Sequence, residues 1–143
     1  MNQKGFTLIE LIVIIVILGI LAVTAVPKYV DMKTEAEKAA ADGVYGAAQG
    51  AVTMNYAASL LDIPAADRPA YDGSGCSDGF IDDEQCLANA MEEVPEGWAV
   101  TTDYLCRSSD GNTCDAVNTD PDYGISVATS ETATRKAVLS RTW

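Results

Sequence analysis

An apolar run at residues 6–26, FTLIELIVIIVILGILAVTAV, constrains the fold of this chain more than any other feature. The run contains 21 residues and a single charge, Glu10. At about 1.5 Å per residue, a helix of this length would be roughly 31 Å long, which matches the hydrocarbon core of a bilayer. A short polar leader, residues 1–5, precedes it, and the run continues beyond the length of an ordinary secretory signal. We therefore expect residues 6–26 to be retained as a membrane-spanning segment.

Glu10 is the unusual residue of this segment. A carboxylate at the centre of a membrane helix costs about 2.5–3.5 kcal/mol or more, and such residues usually have a function. If the chain is cut after Gly5, Phe6 carries a new α-ammonium group four residues before Glu10. That cation is suited to pair with Glu10 of its own chain or of a neighbour. The alternative is a membrane anchor in which an interfacial Glu10 is merely tolerated.

Residues 4–12, KGFTLIELI, resemble the class III signal sequence of type IV pilins and type II secretion pseudopilins. The shared features are a short leader ending in Gly5, Phe6 as the first mature residue and Glu10 as the fifth. The five-residue leader is similar to that of the type IVa subclass. The resemblance is close over about the first 30 residues and looser beyond them.

This resemblance implies a processing and assembly route. A prepilin peptidase would cut between Gly5 and Phe6 and methylate the Phe6 amine. Glu10 would then meet the Phe6 amine of an adjacent subunit as the assembly machinery of the inner membrane moves the helix out of the lipid. Gly19 and Pro27 fall where the family has a glycine and a proline. We expect Pro27 to end or kink the helix, and the segment between Gly19 and Pro27 to unwind in the filament.

The expected fold is α+β and pilin-like, with a long N-terminal helix, membrane-spanning in its first half, packed against a small antiparallel β-sheet. The domain organisation is predicted as a cleaved leader at residues 1–5, a membrane and polymerisation helix at 6–27, an amphipathic half of that helix at 28–61, and a globular head at 62–143. The head is expected to hold a variable loop, the sheet and a disulfide-closed C-terminal region.

Residues 28–61 carry small and apolar side chains at spacings of three and four, which predicts one buried helix face. That face contains Ala40, Val44, Ala47, Ala51, Met54, Ala58 and Leu61. Three glycines run beside it, at positions 43, 46 and 50. Because each costs a helix about 1 kcal/mol relative to alanine, we expect a sheet or another helix to approach the backbone closely there.

The head is predicted to hold one short helix and three strands. Asp82 to Val94 reads as the helix, with Asp82 or Asp83 as its cap and with Leu87, Met91 and Val94 facing inward. Alternating apolar residues predict strands over residues 98–104, 123–129 and 137–143, which are expected to be antiparallel and to lie across the second half of the long helix.

Four cysteines lie in the head: Cys76, Cys86, Cys106 and Cys114. An even number in an exported domain indicates two disulfides, for which three pairings are possible. Short loops close most readily, which favours Cys76–Cys86 with Cys106–Cys114. A zinc site is the alternative, although the spacing lacks the usual CxxC pairs.

Oxygen-bearing side chains cluster after Cys106 and make a weak candidate for calcium, which takes 6–8 oxygen ligands. The candidates are Asp110, Asn112, Asp115, Asp120 and Asp122. The run does not match an EF-hand loop, and the alternative is an exposed, turn-rich loop. No other cofactor is expected.

Composition argues against catalysis and against strong nucleic-acid binding. The chain has no histidine, and no GxSxG, HExxH or P-loop pattern appears. Its net charge of −12 is unsuited to neutralising phosphates. The resemblance, in turn, implies a structural homopolymer, namely a major pilin. Such a subunit passes from the bacterial inner membrane into an extracellular filament, which serves adhesion, twitching motility or DNA uptake. The alternatives are a type II secretion pseudopilin and a minor pilin whose head captures DNA or a receptor.

Overall fold

Helix α1 (Leu8–Leu60) is the first and longest element, with 53 residues. The structure is a computed structural model that describes residues 5–111, 113–117 and 120–143. Pro27 lies inside α1, so the expectation that it ends the helix is wrong. A proline removes one backbone donor and crowds the carbonyl one turn earlier, but the helical turns on either side keep their own hydrogen bonds and carry the helix past it.

The chain forms two units, with the boundary between Glu37 and Lys38. In the N-terminal unit, every large apolar side chain from Phe6 to Val26 is exposed. Among the described residues, α1 is the one helix whose length and apolar composition would let it cross a membrane. A signal sequence would pass the same test, so the finding supports the predicted span by length and composition alone.

In the C-terminal unit, the buried residues of α1 form a face that only partly coincides with the predicted one. They are Ala41, Ala48, Ala51, Val52, Asn55 and Ala58. The prediction is correct for Ala51 and Ala58 and wrong for others: Ala40 and Ala47 are exposed, and so are Met54 and Leu61, at 68% and 74%. The apolar pattern selected Met54, whereas the buried neighbour is Asn55, a polar residue whose hydrogen-bonding groups are satisfied by other segments.

Three glycines of α1 make no close contact within the described part of this chain. Gly43, Gly46 and Gly50 are exposed, and a Cβ built on any of them would meet nothing within 4 Å among the described residues. The expected close approach of a sheet or helix is therefore not made within the described part of this chain.

The short elements of the C-terminal unit follow α1 in a simple order. A 3-10 turn (Ala65–Asp67) leads to helix α2 (Glu84–Ala90). The strands are β1 (Trp98–Val100), β2 (Leu105–Arg107), β3 (Ala116–Val117), β4 (Asp120–Pro121), β5 (Gly124–Thr129) and β6 (Val138–Arg141).

Strands β1, β2, β5 and β6 form an antiparallel sheet in that order, and β3 pairs with β4 in a separate ribbon. The predicted single strand at 98–104 is wrong, since β1 ends at Val100 and the chain turns through Thr101, whose N–H donates to Tyr104 O at 2.9 Å, into β2. The alternation of side chains with a period of two continues through this turn. The sequence pattern therefore does not distinguish one long strand from a hairpin of two short strands. Strands β5 and β6 confirm the other two predictions with shorter bounds.

One hydrophobic core joins the second half of α1 to the sheet and to α2. Val52 of α1, Leu105 of β2 and Ile125 of β5 are fully buried in it. Leu87 of α2 is also buried there, while Met91 and Val94 pack at its edge. The predicted helix at 82–94 is thus present but shorter, with Asp83 as its cap. The expected α+β architecture is confirmed.

Two disulfides close loops of this unit, Cys76–Cys86 and Cys106–Cys114. These are the two pairs that loop length favours. Each of the four sulfurs is bonded to the other sulfur of its pair, so none is available as a thiolate ligand for zinc in this disulfide-bonded state.

The loop between Cys76 and Cys86 also contains a close backbone approach, at Gly79. Gly79 has a φ of +69°, and a Cβ at this position would lie 2.7 Å from the carbonyl oxygen of Ala65. Only glycine fits there, so this loop packs directly on the turn that follows α1.

Candidate assembly site

The N-terminus of α1 is capped by two side chains, Thr7 and Glu10, each of which accepts a hydrogen bond from the backbone N–H of the other residue. Glu10 Oε2 accepts hydrogen bonds from the Thr7 N–H at 2.8 Å and from the Thr7 hydroxyl at 2.7 Å. The Glu10 N–H in turn donates to the Thr7 hydroxyl oxygen at 3.3 Å. This is a capping box, which satisfies backbone donors that the first turn of a helix leaves open.

In the uncleaved chain, the Glu10 carboxylate takes part in the capping box. Its Oε2 is hydrogen-bonded by Thr7, and in this state the nitrogen of Phe6 is an amide rather than a free amine. An ion pair between Phe6 and Glu10 therefore requires cleavage first. Sequence reasoning concentrated on the charge of Glu10 and missed Thr7, although the Thr-x-x-Glu spacing at the start of an apolar run signals this cap.

The predicted cleavage point lies ahead of the helix. Gly5 and Phe6 are outside α1 and exposed, with Phe6 at 89%. A peptide bond that is exposed and lies outside a helix is accessible to a peptidase. Residues 1–4 of the predicted leader lie outside the described residues.

The other two predicted assembly residues are separate from Glu10 along the same helix. Gly19 and Pro27 follow at intervals of about 12–14 Å of helix. Gly19 is exposed, and a Cβ there would meet nothing within 4 Å among the described residues. The three positions therefore form no single pocket; they are distributed along an apolar surface that none of the described residues covers.

The calcium candidates are only partly described. Asp110 Oδ1 accepts from the Ser108 hydroxyl at 2.9 Å and from the Thr113 N–H at 2.8 Å. Asp115 Oδ1 accepts from the N–H and hydroxyl of Ser109, at 3.1 and 2.8 Å. These two carboxylates thus stabilise turns of their own loop.

The remaining members of that set give no further support. Asp122 is exposed, while Asn112 and the side chain of Asp120 lie outside the described residues. Within the described ranges, the group with three close donor atoms of metal-ligand type is Cys76, Asp83 and Cys86, whose cysteines are joined to each other. Calcium binding stays a prediction.

The C-terminal strand is fastened to α1 by a polar and aromatic cluster. Asp42 forms an ion pair with Arg141 and accepts a hydrogen bond from the indole Nε1 of Trp143 at 3.0 Å. The bond from Trp143, helped by the charge of Arg141, lowers the pKa of Asp42. The guanidinium of Arg141 also lies over the rings of Tyr45 and Trp143, at 5.1 and 5.4 Å.

The basic residues near the C-terminus would be the candidates for binding DNA, but each of them makes a contact within the C-terminal unit. Arg141 is engaged by Asp42 and the two rings. Arg135 Nη2 donates to the Ser130 carbonyl at 3.3 Å, and Lys136 Nζ donates to the Thr53 hydroxyl at 3.4 Å. The three cations serve contacts within the unit, which does not favour a phosphate-binding patch.

Comparison with known proteins gives one match. Residues 1–26 match the family described as the prokaryotic N-terminal methylation motif, and the match therefore covers the leader and the apolar run but none of the C-terminal unit. No curated protein and no solved structure matches the chain significantly.

The matched segment contains Gly5, Phe6, Glu10 and Gly19, and it continues directly into the remainder of α1. The long N-terminal helix and the small antiparallel sheet of this chain form the pilin-like architecture that the sequence predicts. Residues 1–26 carry the N-terminal methylation signal of type IV pilins and pseudopilins, and this match supports a place for the chain in that superfamily.

Proposed function

We propose that this chain is the major structural subunit of a type IVa-like pilus, a cell-surface filament for adhesion, twitching motility or DNA uptake. Its mechanism would be assembly and not catalysis. The observation that carries the proposal is the wholly exposed apolar surface of residues 6–26 behind a methylation signal.

An apolar helix of this kind has two stable environments. Before assembly, residues 6–26 are accommodated in the inner membrane, where lipid covers every side chain. After assembly, the same side chains are covered by copies of themselves in the filament core. A head-to-tail contact that does not close into a ring repeats as a helical filament, so a single subunit type is sufficient.

Glu10 makes the move of the helix from the membrane into the filament depend on cleavage of the leader. In the precursor, Thr7 hydrogen-bonds one carboxylate oxygen, which lowers the cost of carrying the charge in an apolar segment. Cleavage between Gly5 and Phe6 by the prepilin peptidase then creates the Phe6 ammonium group. That cation pairs with Glu10 of the adjacent subunit, and because both charges are unfavourable in lipid, their pairing draws an incoming helix to the correct depth.

The C-terminal unit is suited to the outside of such a filament. It has two disulfides and an acidic composition, which fit an oxidising, extracellular environment. The internal contacts of Arg135, Lys136 and Arg141 favour a structural head over a DNA-capturing one.

Deleting the gene in the bacterium that makes this chain separates a pilin from a pseudopilin. We expect electron microscopy to show loss of long surface fibres, with protein secretion unaffected, and plasmid-borne parent chain to restore the fibres. Intact fibres together with failed protein export would contradict the proposal and identify a secretion pseudopilin.

A further inference from the structure

Asn55 of α1 is a fully buried amide on which three other segments converge. Its Oδ1 accepts a hydrogen bond from the Ala70 N–H at 3.0 Å. Its Nδ2 donates to the Gly79 carbonyl at 3.0 Å and to the carboxylate of Glu131 at 3.1 and 3.2 Å. One side chain therefore connects the helix to the loop after it, to the Cys76–Cys86 loop and to the segment that follows β5.

Glu131 is the unexpected member of this cluster, because it is a carboxylate with only 3% of its surface exposed. Its backbone N–H donates to the Ile81 carbonyl at 2.8 Å, which places the residue against the same loop. A buried carboxylate is stable in the ionised form only with strong compensation from donors or cations.

The compensation around Glu131 is incomplete. Two charged groups act on it, the guanidinium of Arg68 and the carboxylate of Asp78. Arg68 donates through Nε to the Ile63 carbonyl at 2.9 Å, and its buried Nη1 has no hydrogen-bond partner among the described residues. Burial is the largest influence and raises the pKa of Glu131; Asp78 adds to this, while Asn55, the backbone of Ile81 and Arg68 oppose it.

We propose that the Asn55–Glu131 contact is a pH-sensitive latch, which holds residues 62–81 against α1 more tightly in mildly acidic than in neutral solution. Asn55 supplies the fixed half of the latch from the helix. Glu131 supplies the half whose charge changes.

The direction follows from where the proton is bound. The pKa of Glu131 is higher in the folded chain than in the unfolded chain, so the folded chain binds more protons between the two values. The resulting stabilisation is present in full below the unfolded pKa and is lost as the pH rises through the folded pKa. A neutral carboxyl group still accepts from Asn55, and it no longer carries a buried charge.

The pH effect is expected in residues 62–81 because the hydrogen bonds of the Asn55–Glu131 cluster attach this segment to α1. Residues 62–81 are fastened through Ala70 and Gly79, both bonded to Asn55, and through the contact of Ile81 with Glu131. Weakening this cluster therefore weakens the attachment of the segment at Ala70, Gly79 and Ile81, while the sheet keeps its own hydrogen bonds.

Hydrogen–deuterium exchange of the full chain in detergent tests the latch. Exchange in residues 62–81 is measured at about pH 5 and about pH 7.5, and each rate is divided by the intrinsic rate at that pH. We expect protection to be about threefold or more higher at the lower pH in the parent chain. The same response is expected in a Glu96→Gln control, which removes an exposed carboxylate. In Glu131→Gln the protection of this segment should not depend on pH.

Two results would overturn the proposal. One is a pH response that survives in Glu131→Gln; an Asp82→Asn variant then identifies the responsible group, since burial raises the pKa of Asp82 as well. The other is protection in the parent chain that is constant or falls as the solution becomes more acidic. If Glu131→Gln does not fold, Asp82→Asn takes its place: a pH response that persists in Asp82→Asn supports Glu131, and a response that is lost there overturns the proposal.

Discussion

Replacing Glu10 by glutamine is expected to lower the yield of assembled filaments by about tenfold or more, which corresponds to a loss of about 1.4 kcal/mol or more per contact. Glutamine keeps the size of the side chain, and its carbonyl oxygen still accepts the hydrogen bonds that Thr7 donates to Glu10. It has no charge to pair with the Phe6 ammonium group of a neighbouring subunit. Membrane insertion should not be impaired, because an amide is less costly than a carboxylate in lipid.

Filament yield is measured by shearing fibres from cells and comparing the sheared with the cell-associated subunit. Glu35→Gln is the matched control, since Glu35 is exposed on the same helix but lies beyond the apolar run. We expect normal fibres from the control and retention of Glu10→Gln in the inner membrane. Normal fibres from Glu10→Gln would mean that Glu10 is only a tolerated interfacial residue.

Replacing Asn55 by alanine is expected to destabilise the C-terminal unit by about 3 kcal/mol or more. The change leaves the Ala70 N–H, the Gly79 carbonyl and the Glu131 carboxylate without the partner that each has now. An unsatisfied buried group costs about 1–3 kcal/mol, and relaxation or entry of water recovers part of the sum. Tryptophan fluorescence reports this unfolding, because Trp98 and Trp143 both lie in the C-terminal unit.

Met54→Ala is the control for Asn55→Ala, made at the adjacent position of the same helix. Met54 is 68% exposed, so its truncation should change the free energy of unfolding by no more than about 0.5 kcal/mol. Denaturant titration of the full chain in detergent compares the two variants with the parent. Equal effects, or a larger one at Met54, would contradict the assignment of Asn55 as the buried anchor of the helix.

The comparison of Met54 with Asn55 also shows where sequence reasoning fails. An apolar pattern ranks methionine above asparagine for burial, and nothing local to the helix reveals that three distant groups supply partners for the amide. The same limit explains Glu131, which resembles a surface residue in a turn until the Cys76–Cys86 loop covers it. Buried polar clusters depend on contacts between segments far apart in the chain, and a helical period does not contain that information.

Features set by local chemistry were predicted better. The apolar run needs no partner to be recognised, and the match over residues 1–26 agrees with it. The same holds for helix α2, where Asp83 caps the first turn by accepting from the Cys86 N–H at 2.8 Å. The role of Thr7 as the helix cap could be predicted from its spacing to Glu10. It was missed because Glu10 was interpreted only through its charge.

Gly43, Gly46 and Gly50 are a different case, because the sequence identified them but none of the described residues lies within 4 Å of a Cβ built at these positions. The energetic argument for them, about 1 kcal/mol each, is unchanged. A close approach by a helix of another subunit stays a prediction.

The most direct test of the account is the intact mass of the subunit in sheared surface fibres. The account predicts a subunit that begins at Phe6, with one added methyl group on the Phe6 amine and with both disulfides formed. A subunit that still carries residues 1–5, or whose Phe6 amine is unmodified in assembled fibres, would contradict it.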